Sequence, residues 1–284
     1  MNVDALRWCS RISEWGDGPR SRSILFAIAL LCCMDPQRRK PLRAGLRGYL
    51  RFLSRGGILV IQTRPLAAAG RLELKFRLDD SADYQSITEC FGGMYPLPRR
   101  RPIRYVLDGG ANLGFFAIAA LRLDELQELV LVEPSPHNLA LLRDNARLVP
   151  GCSLNEAAIA GERGELVFDL ATSNTGHLVS GTQPSAARVV TVGARRIMDF
   201  IPSHWDALQT WIKLDIEGAE YAVIPDLLRA GFKPIQLSAE IHDYLRKDGA
   251  GLVRELESHG YDVTVEGYGH EGDVCRQITA ARRD

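Results

Sequence analysis

The pattern of apolar and polar positions predicts helices at the start of the chain. Residues 23–34 (SILFAIALLCCM) are almost wholly apolar, but about a dozen residues are too few to span a bilayer as a helix, so a buried helix is predicted. Residues 41–55 have helical spacing, with leucines on one face and arginines on another. Residues 1–22 are mixed in character and are expected to be loosely structured.

The period then changes to that of strands. Residues 57–64 (GILVIQTR) and 71–78 (RLELKFRL) predict two strands, the second with strict alternation of apolar and charged positions. A helix follows around Tyr84, Ile87 and Phe91 and ends at a Gly-Gly pair. Residues 1–103 are therefore interpreted as an N-terminal extension of helices and a β-hairpin.

From Tyr105 onward, short apolar runs alternate with helical segments. The first run ends at Asp108 and enters a glycine-rich turn, a helix is predicted from near Leu113, and a second apolar run ends at Glu133. Strand, turn, helix and strand make the first βαβ unit of a doubly wound α/β domain, which is predicted over residues 104–284.

The glycine-rich turn has the properties of a ligand site. Gly110 and Gly114 have no Cβ, so the backbone can turn tightly and approach a ligand closely. Glu133 lies nineteen residues after Gly114, where an acidic side chain accepts hydrogen bonds from ribose hydroxyls. We therefore expect an adenosine derivative.

The spacing in the turn distinguishes between adenosine ligands. A dinucleotide site requires G-x-G-x-x-G, but Ala111 or Asn112 stands where the second glycine should be. The carboxylate of Asp108 would repel a pyrophosphate, yet it suits the ammonium group of an amino acid. S-adenosylmethionine carries that ammonium and no phosphate. A turn that only joins a strand to a helix is the structural alternative.

A second informative stretch is WIKLDIEGAE, residues 211–220. Strand alternation puts Trp211, Lys213 and Asp215 on one side, with Asp215 at the strand's carboxyl end. The next strand, residues 235–240, ends at Glu240 and continues to His242. Because carboxyl ends of parallel strands meet at one edge, these side chains are expected to share a crevice with Asp108 and Glu133.

Charge is unevenly distributed, although the net charge of the 284 residues is zero. Residues 1–104 carry 19 Lys and Arg against 9 Asp and Glu, which leaves 16 against 26 for the remainder. A basic first part indicates an interaction surface, and the alternative is a solvated basic face. Six cysteines without a C-x-x-C pair argue against structural zinc and a disulfide framework, and favour a reducing cytoplasm.

Several blocks together resemble the FkbM family of S-adenosylmethionine-dependent methyltransferases, which have the class I methyltransferase fold. The resemblance covers roughly residues 83–280. It rests on DYQSITECFGGMY, VLDGGANLGFFAIAA, LVEPSPHNLALLRDNA, LNEAAIAG and, as the most distinctive block, WIKLDIEGAEYAVI. Gly109 departs from the family, which more often has an apolar residue there.

The resemblance implies a seven-stranded, mostly parallel sheet in the order 3-2-1-4-5-7-6 with helices on both faces. It also implies O-methylation of a hydroxyl on a sugar, polysaccharide unit or secondary metabolite. The implied cofactor residues are those of the first three strand ends: Asp108, Gly110, Asn112, Gly114, Glu133, Glu156 and Ala157. Glu156 would accept from the adenine amino group, and Ala157 would leave room for the ring.

A hydroxyl is a poor nucleophile until its proton leaves, so a general base is expected. His242 is the first candidate because histidine titrates near neutrality. Asp215 is the second candidate, with Lys213 holding Asp215 or Glu240 ionised. A structural histidine remains the alternative at His242, and magnesium held by Asp215, Glu217 and Glu240 is an alternative route to activation.

Two other functions stay open from the sequence. A nucleic-acid 2′-O-methyltransferase would use the same fold, but Lys213 is the only lysine near the predicted crevice, which disfavours a nucleic-acid partner. A non-catalytic adenosine-binding scaffold would bind the cofactor without turnover. Peripheral membrane contact through residues 23–55 is a further hypothesis, because a basic amphipathic helix can lie on an anionic membrane surface.

Overall fold

The computed structural model describes residues 3–34, 40–67, 69–78, 80–98, 102–169, 177–178, 189–242, 248–268 and 275–283. Within these ranges the α-helices are α1 (Val3–Ser13), α2 (Gly18–Cys33), α3 (Lys40–Leu53), α4 (Ser81–Gly92), α5 (Phe115–Ala120), α6 (Pro136–Ala146), α7 (Glu220–Arg229) and α8 (Gly249–Ser258).

The strands in the same ranges fall into three sheets. They are β1 (Ile58–Gln62), β2 (Glu73–Arg77), β3 (Tyr105–Gly109), β4 (Glu128–Val132), β5 (Cys152–Asn155), β6 (Ala158–Ile159), β7 (Gly164–Asp169), β8 (His177–Leu178), β9 (Val189–Arg195), β10 (Thr210–Leu214), β11 (Gln236–His242), β12 (Tyr261–Tyr268) and β13 (Cys275–Arg282).

The largest sheet has the order β12-β13-β11-β10-β3-β4-β5 in the described part of the chain. All neighbours are parallel except β13, which runs antiparallel to both β11 and β12. Numbered within this sheet alone, the order is 3-2-1-4-5-7-6, as predicted. The α/β fold is thus confirmed, and it differs in detail by a separate small sheet, β6-β9-β7-β8, inserted between its third and fourth strands.

The apolar pattern of SLNEAAIA, residues 153–160, predicts one buried strand that contains Leu154 and Ile159, and the inserted sheet corrects this prediction. Leu154 lies in β5, but Ile159 does not continue that strand, because β6 pairs with β9 in the second sheet. The chain therefore leaves the main sheet after Asn155. The sequence pattern of residues 161–170 and 187–192 predicts an additional pair of strands around a polar loop, residues 172–185. This pair is present as β7 and β9, while most of the loop lies outside the described residues.

Each face of the main sheet is covered by an apolar cluster. One face packs against α7 and α8 through residues such as Leu107, Ile212 and Leu237. The other face, with Val106 and Trp211, belongs to a cluster that also contains most of the buried residues of α1, α2, α4 and the β1–β2 hairpin. The N-terminal extension is therefore packed directly onto the sheet that carries the predicted site.

The N-terminal helices differ partly from expectation. Residues 3–13, predicted to be loosely structured, form α1, because Cys9 and Ile12 are completely buried and pack it into the cluster. The apolar segment is buried in α2, as predicted. The amphipathic segment forms α3, with Leu50 as its one buried residue. None of the helices in the described ranges combines the length and apolar character needed to cross a membrane.

Candidate functional site

The glycine-rich turn after β3 is held against the end of β10. Gly110 has φ +72°, and a Cβ built on it would lie 1.8 Å from the carbonyl oxygen of Asp215. Asn112 also adopts the left-handed region, at φ +51°, which asparagine tolerates better than most residues. Only glycine fits at position 110, because both the backbone angle and the contact exclude a side chain.

The turn uses its own N–H groups internally. Gly110 and Ala111 both donate to the carbonyl oxygen of Val132, at 3.0 and 3.1 Å. Asn112 donates to Oε2 of Glu133 at 2.8 Å. Helix α5 begins at Phe115, two residues later than predicted, and has only six residues. The turn is therefore not a row of free donors for a pyrophosphate, which agrees with the exclusion of a dinucleotide from spacing.

Glu133 fastens the turn to the second strand. Its side chain is buried, with Oε1 accepting from the Ser135 backbone at 2.9 Å and from Asn138 Nδ2 at 3.3 Å. Burial raises the pKa of Glu133 to about 7, although these hydrogen bonds favour the ionised form. The carboxylate stands next to the turn where the sequence analysis expected a ribose to bind.

Asp108 is completely buried and pairs with Lys213, which lies in register with it on the neighbouring strand β10. The ammonium Nζ lies 3.1 Å from Oδ1, but neither carboxylate oxygen accepts an aligned hydrogen bond from the described residues. Burial raises the pKa of Asp108 to about 6, and the charge on Lys213 opposes the rise. Oδ2, a buried acceptor with no donor among the described residues, fits the ammonium of an amino-acid ligand.

Lys213 is held on several sides. Its Nζ donates to the carbonyl oxygens of Gly110 at 2.7 Å and Gly109 at 3.3 Å, and lies 3.8 Å from Oδ2 of Asp215. Burial alone would lower the pKa of Lys213, but the carboxylates of Asp108 and Asp215 raise it above its ordinary value. The lysine thus stays charged and ties the turn to the tip of β10. The predicted partner Asp215 lies within ion-pair distance of Lys213, and Asp108 is a closer partner that the sequence did not predict.

Register shows which side chains share the face of Lys213. Paired residues of neighbouring strands point to the same side, so Ser238 lies beside Lys213, and Trp211 Nε1 donates to its hydroxyl at 3.1 Å. Glu240 follows two residues later on that face and pairs with Gln277 of β13. Both are buried, and Oε1 of Gln277 has no hydrogen-bond partner in the described structure.

The segment from α4 to Pro96 covers this face. The Tyr95 ring centroid lies 5.8 Å from Nζ of Lys213, and Gln236 Nε2 donates to the Pro96 carbonyl at 2.7 Å. Burial raises the pKa of Glu89 to about 7, and the Asp215 carboxylate adds to the rise while Lys213 opposes it. Glu89, Tyr95 and Gln277 were missed as site residues. The one signal for Glu89 and Tyr95 was their place in DYQSITECFGGMY, whereas Gln277 lies in a strand of mixed polar and apolar residues, CRQITAAR, which gives no such signal.

The structure does not bring every predicted residue to the turn. Glu156 follows β5 but is half-exposed, and its carboxylate binds Arg143 with a 2.6 Å contact to Nη2. Ala157 is buried in the cluster under α7. His242 is the last residue of β11, so the strand is longer than predicted, and its side chain lies outside the described part of the structure.

The acidic residues after Asp215 have different surroundings. Glu220 is completely buried and accepts from the N–H groups of Ile216 at 2.7 Å and Gly218 at 2.8 Å, so it shapes the turn into α7. Glu217 takes the left-handed conformation, at φ +56°. Asp215 itself is partly exposed, with 28% of its side chain accessible to solvent. No group of three or more His, Cys, Asp or Glu placed to hold a metal ion occurs among the described residues.

Comparison with solved structures finds low-identity matches. The chain is similar to the methyltransferase FkbM from Methylobacillus flagellatus KT, with 17% identity, a TM-score of 0.46, and coverage of 97% of this chain and 59% of that one. A precorrin-6y C5,15-methyltransferase from Geobacter metallireducens GS-15 matches at 18% identity and TM-score 0.38, over 64% and 81%. TrmK from M. capricolum, solved with S-adenosylhomocysteine, matches at 9% and 0.38, over 64% and 63%.

Comparison with protein families assigns more than half of the chain. No curated protein matches the sequence. The Methyltransferase FkbM domain matches residues 108–263, which run from the carboxylate at the end of β3 into β12 and include the whole predicted site. The chain therefore belongs to the FkbM methyltransferase family.

Proposed function

We propose that this chain is an S-adenosylmethionine-dependent O-methyltransferase acting on a hydroxyl of a small-molecule or glycan acceptor. The observation that carries the proposal is Asp108, a completely buried carboxylate beside a glycine-rich turn: its Oδ1 lies 3.1 Å from the Lys213 ammonium, and its Oδ2 has no hydrogen-bond donor among the described residues. A buried carboxylate oxygen without a donor is costly unless a ligand supplies one. The five described cysteines are all free, which supports the expectation of a reducing, cytoplasmic compartment.

Each of the proposed cofactor residues would contact a different part of the ligand. Asp108 would accept from the amino-acid ammonium, Glu133 would accept from ribose hydroxyls, and Gly110 and Gly114 would leave room for the backbone to approach. Asn112 also has a buried side-chain oxygen, Oδ1, without a partner. Glu156 and Ala157 would border the adenine, which requires Glu156 to turn away from Arg143. Bound S-adenosylmethionine supplies a methyl group activated by its sulfonium.

The chain's own task is to align the acceptor oxygen and remove its proton. Asp215 is the accessible carboxylate at the tip of β10, and the charge of Lys213, 3.8 Å away, would orient it. His242 at the end of β11 remains the first candidate for the base, and Glu240 on the same strand would bind the acceptor. General-base catalysis of this kind contributes about 10²- to 10⁴-fold.

Glu89 is an additional candidate for proton transfer. Its pKa, raised to about 7 by burial, suits a base at neutral pH, and the charges of Asp215 and Lys213 both act on it. Gln85 Nε2 donates to Glu89 Oε1 at 2.8 Å, which orients the carboxylate. Because α4 carries Glu89 over the sheet edge, the acceptor pocket would be completed by the N-terminal extension.

The test is turnover with a panel of hydroxylated sugars and secondary metabolites, measured by the release of S-adenosylhomocysteine. Asp215→Asn, His242→Ala and Glu89→Gln are compared, with Glu257→Gln, at an exposed carboxylate of α8, as a control for loss of a carboxylate. The base should show a loss of about 10²-fold or more in kcat and a changed pH profile.

Two outcomes would refute the proposal. Cofactor binding without turnover of any acceptor would favour the scaffold hypothesis. Methylation of RNA, with tight salt-dependent binding, would favour the nucleic-acid hypothesis, in which exposed basic residues neutralise phosphates.

A further inference from the structure

Helix α3 stands largely outside the packed body of the protein. Leu50 is completely buried and Leu46 and Leu53 are half-buried, but the remaining apolar side chains of the helix face solvent. Phe52 is 83% exposed, Leu42 46% and Tyr49 40%. Large apolar side chains exposed together on one helix indicate a surface that is covered by something else.

The surroundings of this helix are strongly basic. Residues 36–72 contain nine Lys and Arg and no Asp or Glu. Lys40, Arg47 and Arg51 are exposed on α3 itself. On a helical wheel these three side chains lie on one flank of the solvent-facing side, with Phe52, Tyr49 and Leu42 on the other. The helix therefore presents positive charge on one flank and exposed apolar side chains on the other, with Phe52 the apolar residue nearest to the cations.

Arg43, which shares the arginine face of this helix with Arg47 and Arg51 in the sequence pattern, contacts α2 instead of facing solvent. Arg43 donates through Nη1 to the carbonyl oxygens of Leu31 at 2.6 Å and Met34 at 2.8 Å, at the end of α2. Arg20 in turn donates to the Leu53 carbonyl at 2.9 Å, at the end of α3. The two helices are thus fixed to each other by their ends, which holds the exposed face of α3 in a defined orientation.

An open groove of about 490 Å³ runs between α2 and α3. Phe26, Leu30, Leu46 and Tyr49 line it, with Arg22 at its border. The groove continues the apolar flank of α3 at Tyr49, whose hydroxyl donates to Ser23 Oγ at 2.7 Å. Aliphatic and aromatic walls next to arginines suit a lipid, whose acyl part is apolar and whose headgroup carries the charge.

We propose that α3 and the groove beside it dock this protein on an anionic lipid bilayer. The exposed cations pair with lipid phosphates, while Phe52, Leu42 and the groove contact the bilayer where the headgroups meet the acyl chains. The apolar side chains favour a bilayer over a nucleic acid, because Leu42 and Leu30 offer neither charge nor a stacking face. The proposal does not depend on the methyl acceptor.

The test is co-sedimentation of the full chain with vesicles of phosphatidylcholine alone and of phosphatidylcholine with phosphatidylglycerol. Binding is expected to the anionic vesicles only and to weaken in high salt. Arg47→Gln should lower the partition coefficient about fivefold. Phe52→Ser should lower it about tenfold, because a large apolar side chain no longer enters the interface.

Matched controls separate docking from folding. Arg147→Gln removes an exposed arginine directly after α6, and Val265→Ser removes an exposed apolar side chain of β12. Both should bind vesicles like the parent protein, and all four variants should keep the parent's thermal unfolding midpoint. Equal effects in the controls would overturn the proposal.

Three results contradict the docking surface directly. The first is equal binding to neutral and anionic vesicles, and the second is failure to bind either kind of vesicle. The third is binding of the protein to RNA, independent of the RNA's length, in the absence of lipid. If sedimentation velocity shows a dimer that Phe52→Ser dissolves, with no vesicle binding, a second copy covers this face and the proposal is wrong.

Discussion

At the scale of single residues, Gly110 is the position where the turn tolerates least change. Gly110→Ala adds a Cβ that would lie 1.8 Å from the Asp215 carbonyl oxygen at a positive φ. We expect a loss of about 3 kcal/mol or more in the free energy of unfolding, from overpacking and backbone strain together. Chemical denaturation measures this loss.

The control for Gly110→Ala is Gly93→Ala. Gly93 also has a positive φ, +93°, but a Cβ there would meet nothing within 4 Å. This variant isolates the conformational cost, which should be about 1 kcal/mol. Equal destabilisation of the two variants would show that the close approach to Asp215 is not the reason for glycine at position 110.

Glu133 makes stability depend on pH in a defined direction. Burial raises its pKa from 4.5 to about 7, so the folded protein binds more protons than the unfolded chain between those values. The free energy of unfolding should therefore fall as pH rises from about 4.5 to 7, by on the order of 3 kcal/mol from this group. Denaturation at pH 5 and pH 8 measures the difference.

Glu133→Gln should remove this part of the pH dependence, even though it also loses a hydrogen-bond acceptor. Glu156→Gln, at a half-exposed carboxylate, is the matched control and should keep the parent's profile. A Glu133→Gln profile as steep as the parent's would mean that Glu133 is not the group that titrates.

At the scale of elements, the arginines of α3 have different roles on one helix. Arg43 satisfies two carbonyl oxygens at the end of α2, whereas Arg47 has no hydrogen-bond or ion-pair partner among the described residues. Arg43→Ala should lower the free energy of unfolding by about 2 kcal/mol, because hydrogen bonds from a charged donor are lost. Arg47→Ala should change it by less than about 0.5 kcal/mol.

Thermal or chemical denaturation of the two variants gives the comparison. If both variants lose the same stability, the contacts of Arg43 with α2 do not hold α3 in place. The defined orientation of the proposed docking face would then lose its support.

At the scale of the whole molecule, the N-terminal extension and the methyltransferase domain share one apolar cluster. Phe76 of β2 and Phe91 of α4 both lie with their ring centroids 6.2 Å from that of Phe115, and Tyr95 lies 5.2 Å from Phe116. A fragment of residues 104–284 would expose these aromatic faces, each of which is worth about 1.5–3 kcal/mol when buried.

We therefore predict that the fragment 104–284 does not unfold cooperatively by itself. Co-expression with residues 1–103 as a separate chain should restore a cooperative transition. Circular dichroism during heating is the measurement. A fragment that melts cooperatively at the midpoint of the full chain would contradict the shared core.

The sequence predicted those parts of the fold that depend on local patterns of apolar residues and glycines. Strand ends at Asp108 and Glu133 and the turn between them followed from short apolar runs and glycines, and the resemblance supplied the strand order. Position 109 shows the limit. A Cβ there would lie 2.8 Å from Ile159 Cδ1 and 2.9 Å from Leu214 Cδ2, so glycine is matched to neighbours that only the fold brings near.

The site was predicted less completely for the same reason. Lys213 pairs with Asp108 because β10 and β3 are neighbours in register, although 105 positions separate the two residues. Glu89 and Tyr95 reach the site through packing of α4 and the segment after it, which no local spacing encodes. Helix α1 was missed because its mixed composition hides two buried positions.

The measurement that tests the central claim most directly is calorimetric titration with S-adenosylmethionine and, separately, with NAD, in the parent protein and in Glu133→Ala. We predict binding of S-adenosylmethionine only, with the binding lost or strongly weakened in the variant because the ribose acceptor and the fastening of the turn are both removed. Binding of NAD, or of neither ligand, would contradict the assignment of the turn between Asp108 and Gly114.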